Sequence, residues 1–75
     1  MSSKKDLGLL VRSLRERMDL TQERFAAKLG VTFASVNRWE NGRAKPSPLA
    51  LKQIEELLLS LGKRGSDLHD QFFKD

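Results

Sequence analysis

The most constraining stretch of this 75-residue chain is a helix-start signal written twice, at Leu20-Thr21 and again at Val31-Thr32. A threonine hydroxyl can accept a bond from an otherwise unpaired amide in the first turn of a helix. In both copies an apolar residue precedes the threonine and another lies four residues after it. Leu20 pairs with Phe25 in this way, and Val31 with Val36, as two hydrophobic staples. The first signal predicts a helix over about 22–29 that buries Phe25, Ala26 and Leu29. Gly30 ends it, because glycine enters the left-handed region without a β-carbon clash. The second predicts a helix over about 33–40 that buries Val36 and Trp39, closed by Asn41-Gly42.

Helical periodicity continues on both sides. Leu7, Leu10, Val11, Leu14 and Met18 recur at steps of three and four, leaving Arg12, Arg15, Glu16 and Arg17 to water or a partner. After the basic connection Arg43-Ala44-Lys45-Pro46, Ser47-Pro48 reads as a cap followed by proline at the first helical position. It opens a helix over about 48–61 with Leu51, Ile54, Leu57, Leu58 and Leu61 apolar. Gly62 and Gly65 bracket a Lys63-Arg64 turn, and a short fifth helix from Asp67 would bury Leu68, Phe72 and Phe73. No alternating run or hairpin dipeptide supports a strand. The expected fold is all-α, a compact bundle of four to five helices.

At 8.5 kDa there is room for one core. Hydrophobic residues make up 39% of the chain and charged ones 32%, enough to fold under a well-solvated surface. The net charge of +4 is unevenly placed: residues 1–52 hold eleven bases and five acids, residues 53–75 three and five. A basic body with an acidic end points to a polyanionic partner. With no cysteine, disulfides and thiolate metal sites are excluded. No apolar run approaches the roughly 20 residues of a membrane span, and the polar N-terminus has no signal-type region. A soluble, cytoplasmic protein without a membrane partner is expected, and Met1 points to a whole gene product.

The spacing around Gly30 carries function. Ala26, Gly30, Val36 and Trp39 follow Gln22 by four, eight, fourteen and seventeen residues. A small residue sits where two helices cross, a glycine makes the turn, and two apolar residues bury the inner face of the second helix. Its outer face is then free to enter a DNA major groove, which admits a helix. An ordinary αα-hairpin is the plainer alternative, but it does not ask for all four positions at once.

The run Leu20-Thr21-Gln22-Glu23-Arg24-Phe25-Ala26-Ala27-Lys28-Leu29-Gly30-Val31-Thr32, followed by Val36-Asn37-Arg38-Trp39-Glu40-Asn41-Gly42, closely resembles the phage-repressor and Cro-type (Xre-like) helix-turn-helix family. The resemblance covers residues 7–61 and implies a lambda-repressor-like DNA-binding domain. Residues 1–6 would then be a flexible basic arm, with Lys4 and Lys5 reaching phosphate or remaining solvated, and 62–75 a tail or short fifth helix. The resemblance further implies that Thr32, Phe33, Ala34 and Arg38 reach base edges. Gln22 would touch phosphate and brace the recognition helix, with Ser35, Asn37, Asn41, Arg43 and Lys45 also on the DNA backbone. Arg15 and Glu40 would form an ion pair between the first and third helices.

Phe33 and Ala34 depart from the polar amides that better-known members carry there. Neither can contact adenine bidentately, so they could read only a thymine methyl or local shape, which leaves Arg38 the strong direct reader, with guanine O6 and N7 its natural target. For Phe33 the alternatives are partial burial or a partner surface. The apolar residues of 62–75 either close the core or form a dimer surface. A domain this small binds weakly alone, and twofold dimers read palindromic half-sites, so a homodimer on a palindromic duplex operator is expected.

His69 with Asp67 and Asp70 resembles a metal cluster only superficially, for it lacks a second histidine or a cysteine. No metal or cofactor is expected. No nucleophile–base arrangement or phosphate-binding glycine loop occurs, so the chain is not expected to be an enzyme. The functional expectation is a small transcriptional regulator, a repressor. An antitoxin that holds a toxin, or a restriction-control regulator, fits the same residues. A protein-interaction module with a repressor-like fold is the rival from another class; a purely structural helical peptide would not need the Ala26/Gly30 geometry.

Overall fold

The computed structural model describes residues 6–74; the arm expected at Lys4 and Lys5 lies outside the described residues. Five helices follow one another: α1 Leu7–Arg17, α2 Gln22–Leu29, α3 Phe33–Glu40, α4 Pro48–Ser60 and α5 Lys63–Phe73. No strand occurs among the described residues.

The helix ends follow local chemistry. Thr21, Thr32 and Ser47 each accept a bond from the amide three residues on, and Asp6 does the same for α1 at 3.0 Å. These bonds satisfy amides that have no partner inside the helix. Both α1 and α3 close with a left-handed residue just past the cap. At Asp19 (φ 58°) and Gly42 (φ 75°) the chain turns so that the next amide reaches back five residues. Leu20 bonds the Arg15 carbonyl at 3.1 Å, and Arg43 bonds that of Arg38 at 2.9 Å.

Each helix contributes to one core. Leu10, Val11, Leu14, Phe25, Val36, Ile54 and Leu58 are fully excluded from water. Burying each such side chain contributes about 1.5–3 kcal/mol against chain entropy. α1 packs on α3 and α5, α2 packs on α3, and α5 folds back along α4.

The C-terminal segment differs from its sequence reading. α5 begins at Lys63 rather than Asp67, and Gly65 lies inside it as a buried residue rather than in a turn. The reason is contact: a β-carbon at Gly65 would overlap the Leu58 carbonyl oxygen on α4. Gly65, Leu68 and Phe72 are the buried residues of α5, so the helix completes the core. Leu61 caps α4 instead of ending it from within. Gly8 acts like Gly65, since a β-carbon there would sit 2.6 Å from the Trp39 carbonyl oxygen.

Arg17 is not a free surface cation. It holds Asp67 with both guanidinium arms (2.5 and 2.9 Å). Arg17 also donates to the Arg64 carbonyl at 2.8 Å, while Arg64 donates back to the Arg17 carbonyl at 2.7 Å. This reciprocal clasp ties the end of α1 to the start of α5. His69 is engaged as well: Nε2 lies 2.9 Å from a Glu55 oxygen, and the ring stacks on Phe73. Among the described residues no group of His, Cys, Asp or Glu is placed to hold a metal, and no helix is long and apolar enough to cross a membrane.

Candidate nucleic-acid interface

α3 is eight residues long, and its inner face is anchored by Val36 and Trp39, 0% and 6% exposed. Thr32, Phe33, Ala34 and Arg38 therefore lie exposed on the outer side, with Ser35 and Asn37 half-buried at its edges. The Thr32 hydroxyl accepts the Ser35 amide at 3.1 Å and lies 3.0 Å from the Ser35 hydroxyl. These two contacts leave one hydrogen-bonding site on the hydroxyl, besides the methyl group, for a partner. Phe33 is 49% exposed, an aromatic ring that the core does not use.

Behind α3 a polar network fixes its pitch. Arg15 donates from Nε and one arm to the two Glu40 oxygens at 2.7 and 3.0 Å, and from the other arm to the Leu20 carbonyl at 3.0 Å. Gln22 Nε2 donates to Glu40 at 3.0 Å. The Glu40 side chain is only 6% exposed and that of Arg15 17%. Burial pushes the Glu40 carboxyl up, but the bonds from Arg15 and Gln22, with the charges of Arg15 and Arg12, outweigh it and hold the group below its ordinary value. The same bond to Glu40 raises Arg15 against its own desolvation. Glu40 is thus ionised at neutral pH and pinned by groups from α1 and α2 at once. Paired and fully bonded in this way, it orients α3 without leaving a buried charge unmet.

Exposed cations stand at the end of α3 and in the loop that follows it. Arg38 stands on the last turn of α3, and Arg43 and Lys45 follow the Gly42 turn; all three are exposed and engage no carboxylate among the described residues. Asn41 is exposed at the C-terminal cap of α3. Arg24 and Lys28 on α2 are also exposed and engage no carboxylate among the described residues, beyond the set that the sequence pattern picks out. Their spacing of four on a polar helix face is the signal that points to them. Unpaired arginines and lysines beside a rigid helix can contact phosphate without first breaking an internal bond.

The structure brings Arg15, Glu40 and Gln22 together. It leaves the four base-edge candidates exposed and sets Arg43 and Lys45 in the exposed loop that follows α3. Such an arrangement can present a pre-positioned helix to a groove.

A helix-turn-helix family model of the Cro/C1 (Xre-like) kind matches residues 11–58, from α1 to near the end of α4. No curated protein and no solved structure matches the chain. The chain belongs to the Cro/C1-type helix-turn-helix family, whose members are DNA-binding regulators.

Proposed function

We propose that this chain is a cytoplasmic transcriptional repressor that binds a palindromic duplex operator as a homodimer. Residues 7–61 form the reading unit, and α5 completes its core. α3 enters the major groove. Arg38 reads guanine, Thr32 and Phe33 meet thymine methyls or the groove wall, and Ala34 permits close approach. Gln22, Ser35, Asn37, Asn41, Arg43 and Lys45 hold the backbone and set the register. Regulation follows from occupying a promoter.

One observation carries the reading. The outer face of α3 is exposed and carries Arg38; Arg43 and Lys45 follow in the next loop, and none of the three engages a carboxylate among the described residues, while the inner face is fixed by Trp39 and Glu40. A protein-docking module would not need that cationic border.

Selection of bound duplexes from a random pool, followed by salt titration of the winner, tests it. A palindrome should be enriched, with affinity falling steeply as salt rises. Arg38→Ala should lose about 1–3 kcal/mol of preference at one base pair in each half-site. Lys45→Ala should weaken all duplexes alike and lower the salt slope by about one for each half-site, about two for the dimer. No enriched sequence and equal weak binding by wild type and Arg38→Ala would overturn the reading in favour of a protein partner on α3. Co-purification of a neighbour-encoded protein held by the chain would move it to the antitoxin reading.

A further inference from the structure

Leu49 and Leu59 are the two most exposed large apolar side chains among the described residues, at 71% and 60%. Both lie on α4, whose opposite side, with Ala50, Ile54 and Leu58, is buried in the core. Between them on the outer side stand Lys52 and Glu56, both exposed and neither in an ion pair among the described residues. The steps along Leu49, Lys52, Glu56 and Leu59 are three, four and three residues. That is the heptad spacing of a helix seam that packs on another helix.

This seam is complementary to itself in one orientation. In an antiparallel pair about a twofold axis beside Ile54, Leu49 faces Leu59 of the partner subunit and Lys52 faces Glu56 of the partner subunit. Symmetry repeats both contacts, giving two leucine layers outside two ion-paired layers. A parallel pair would instead set lysine on lysine and glutamate on glutamate, and sliding the antiparallel pair by one turn would put leucine against charge. We infer that the outer face of α4 is the surface on which a second copy of this chain docks, antiparallel, through Leu49, Lys52, Glu56 and Leu59. The inference rests on the dimeric reading proposed above and gives it an interface.

The size of the seam sets the strength of the dimer. α4 has 13 residues and is about 20 Å long. One helix pair of that length falls short of the roughly 1,000 Å² that a stable interface clears. The free dimer is therefore weak, dissociating in the micromolar range or above.

Charge reversal tests this in the full chain, because both charged residues are exposed and their substitution leaves the core intact. Sedimentation equilibrium up to millimolar concentration would be run on wild type, Lys52→Glu, Glu56→Lys and the double variant, with helicity as a folding control. Each single reversal sets like charges face to face twice and should weaken the dimer at least about tenfold. The double variant should recover it. An equimolar mixture of the two single variants should form a heterodimer that neither forms alone, since both charged layers then pair glutamate with lysine. Leu49→Ser combined with Leu59→Ser should leave a folded monomer. A wild-type dimer unmoved by all these changes would overturn the α4 interface and leave the dimeric reading standing. A wild type that is monomeric throughout would overturn both.

Discussion

Arg15 and Glu40, 25 residues apart, meet in a two-pronged ion pair that fastens α1 to the last turn of α3. Arg12 and Glu16 form an ion pair too, at 3.3 Å within α1, but their side chains are 63% and 57% exposed. The two pairs differ in burial, and burial decides what each is worth.

Replacing Arg15 with methionine should therefore cost about 2–4 kcal/mol, because Glu40 is left with Gln22 alone in a site almost closed to water. Arg12→Met should stay within about 0.5 kcal/mol. Urea unfolding followed by circular dichroism measures both. Equal losses would mean that the interhelical pair does not set the angle of α3.

How far the sequence reaches is clearest by comparing these contacts. Arg15–Glu40 was legible only through family resemblance, since nothing local couples residues 25 apart. The caps at Thr21, Thr32 and Ser47 were legible locally, because each hydroxyl bonds an amide three residues away. The outward face of α3 followed from the inward step Val36–Trp39. The Arg17–Asp67 clasp spans 50 residues and left no periodic trace. Gly65 was misread for a physical reason: glycine breaks helices and also lets them touch. Its place on one stripe with Leu68 and Phe72, at steps of three and four, was the sign of the second role.

Gly65→Ala follows from that contact. In an exposed helix the change would stabilise by about 0.8–1 kcal/mol. Here the new methyl meets the backbone carbonyl of Leu58, which cannot swing aside as a side chain would. The net effect should be a loss of about 1–3 kcal/mol, read as a lower melting temperature. A rise in melting temperature would show that α5 can move off α4 at little cost.

Acid should loosen the fold through two carboxyls. The two bonds from Arg17 hold Asp67 down from its ordinary 3.8 to about 2. Glu40 is held below its ordinary 4.5, the bonds from Arg15 and Gln22 outweighing burial. A carboxyl depressed in the folded state contributes stability that is complete above its unfolded value and is lost as pH falls through the folded one. Melting temperature should thus fall as the pH drops below 4.5, with the Asp67 share lost from 3.8 down to about 2. Asp67→Asn should flatten that lower part of the curve at fixed ionic strength. An unchanged acid slope in the variant would show that the clasp does not hold in solution.

Two phenylalanines separate fold from function. Phe25 is 0% exposed and Phe33 49%. Phe25→Ala should cost about 3–5 kcal/mol and threaten folding altogether, because it empties the space where α2 meets the core. Phe33→Ala removes a ring that water already half covers, so unfolding by urea should shift by less than about 1 kcal/mol. If Phe33 packs on a thymine methyl in the groove, the same variant should lose preference for a T·A pair at one position of each half-site while keeping the wild-type salt dependence. That combination points to base contact, since losing a phosphate contact changes the slope and spares the sequence preference. Retained specificity with a lost protein–protein contact would instead make Phe33 part of a docking surface. The competition assay on single-base variants of the selected operator, run beside the urea melt, distinguishes the two.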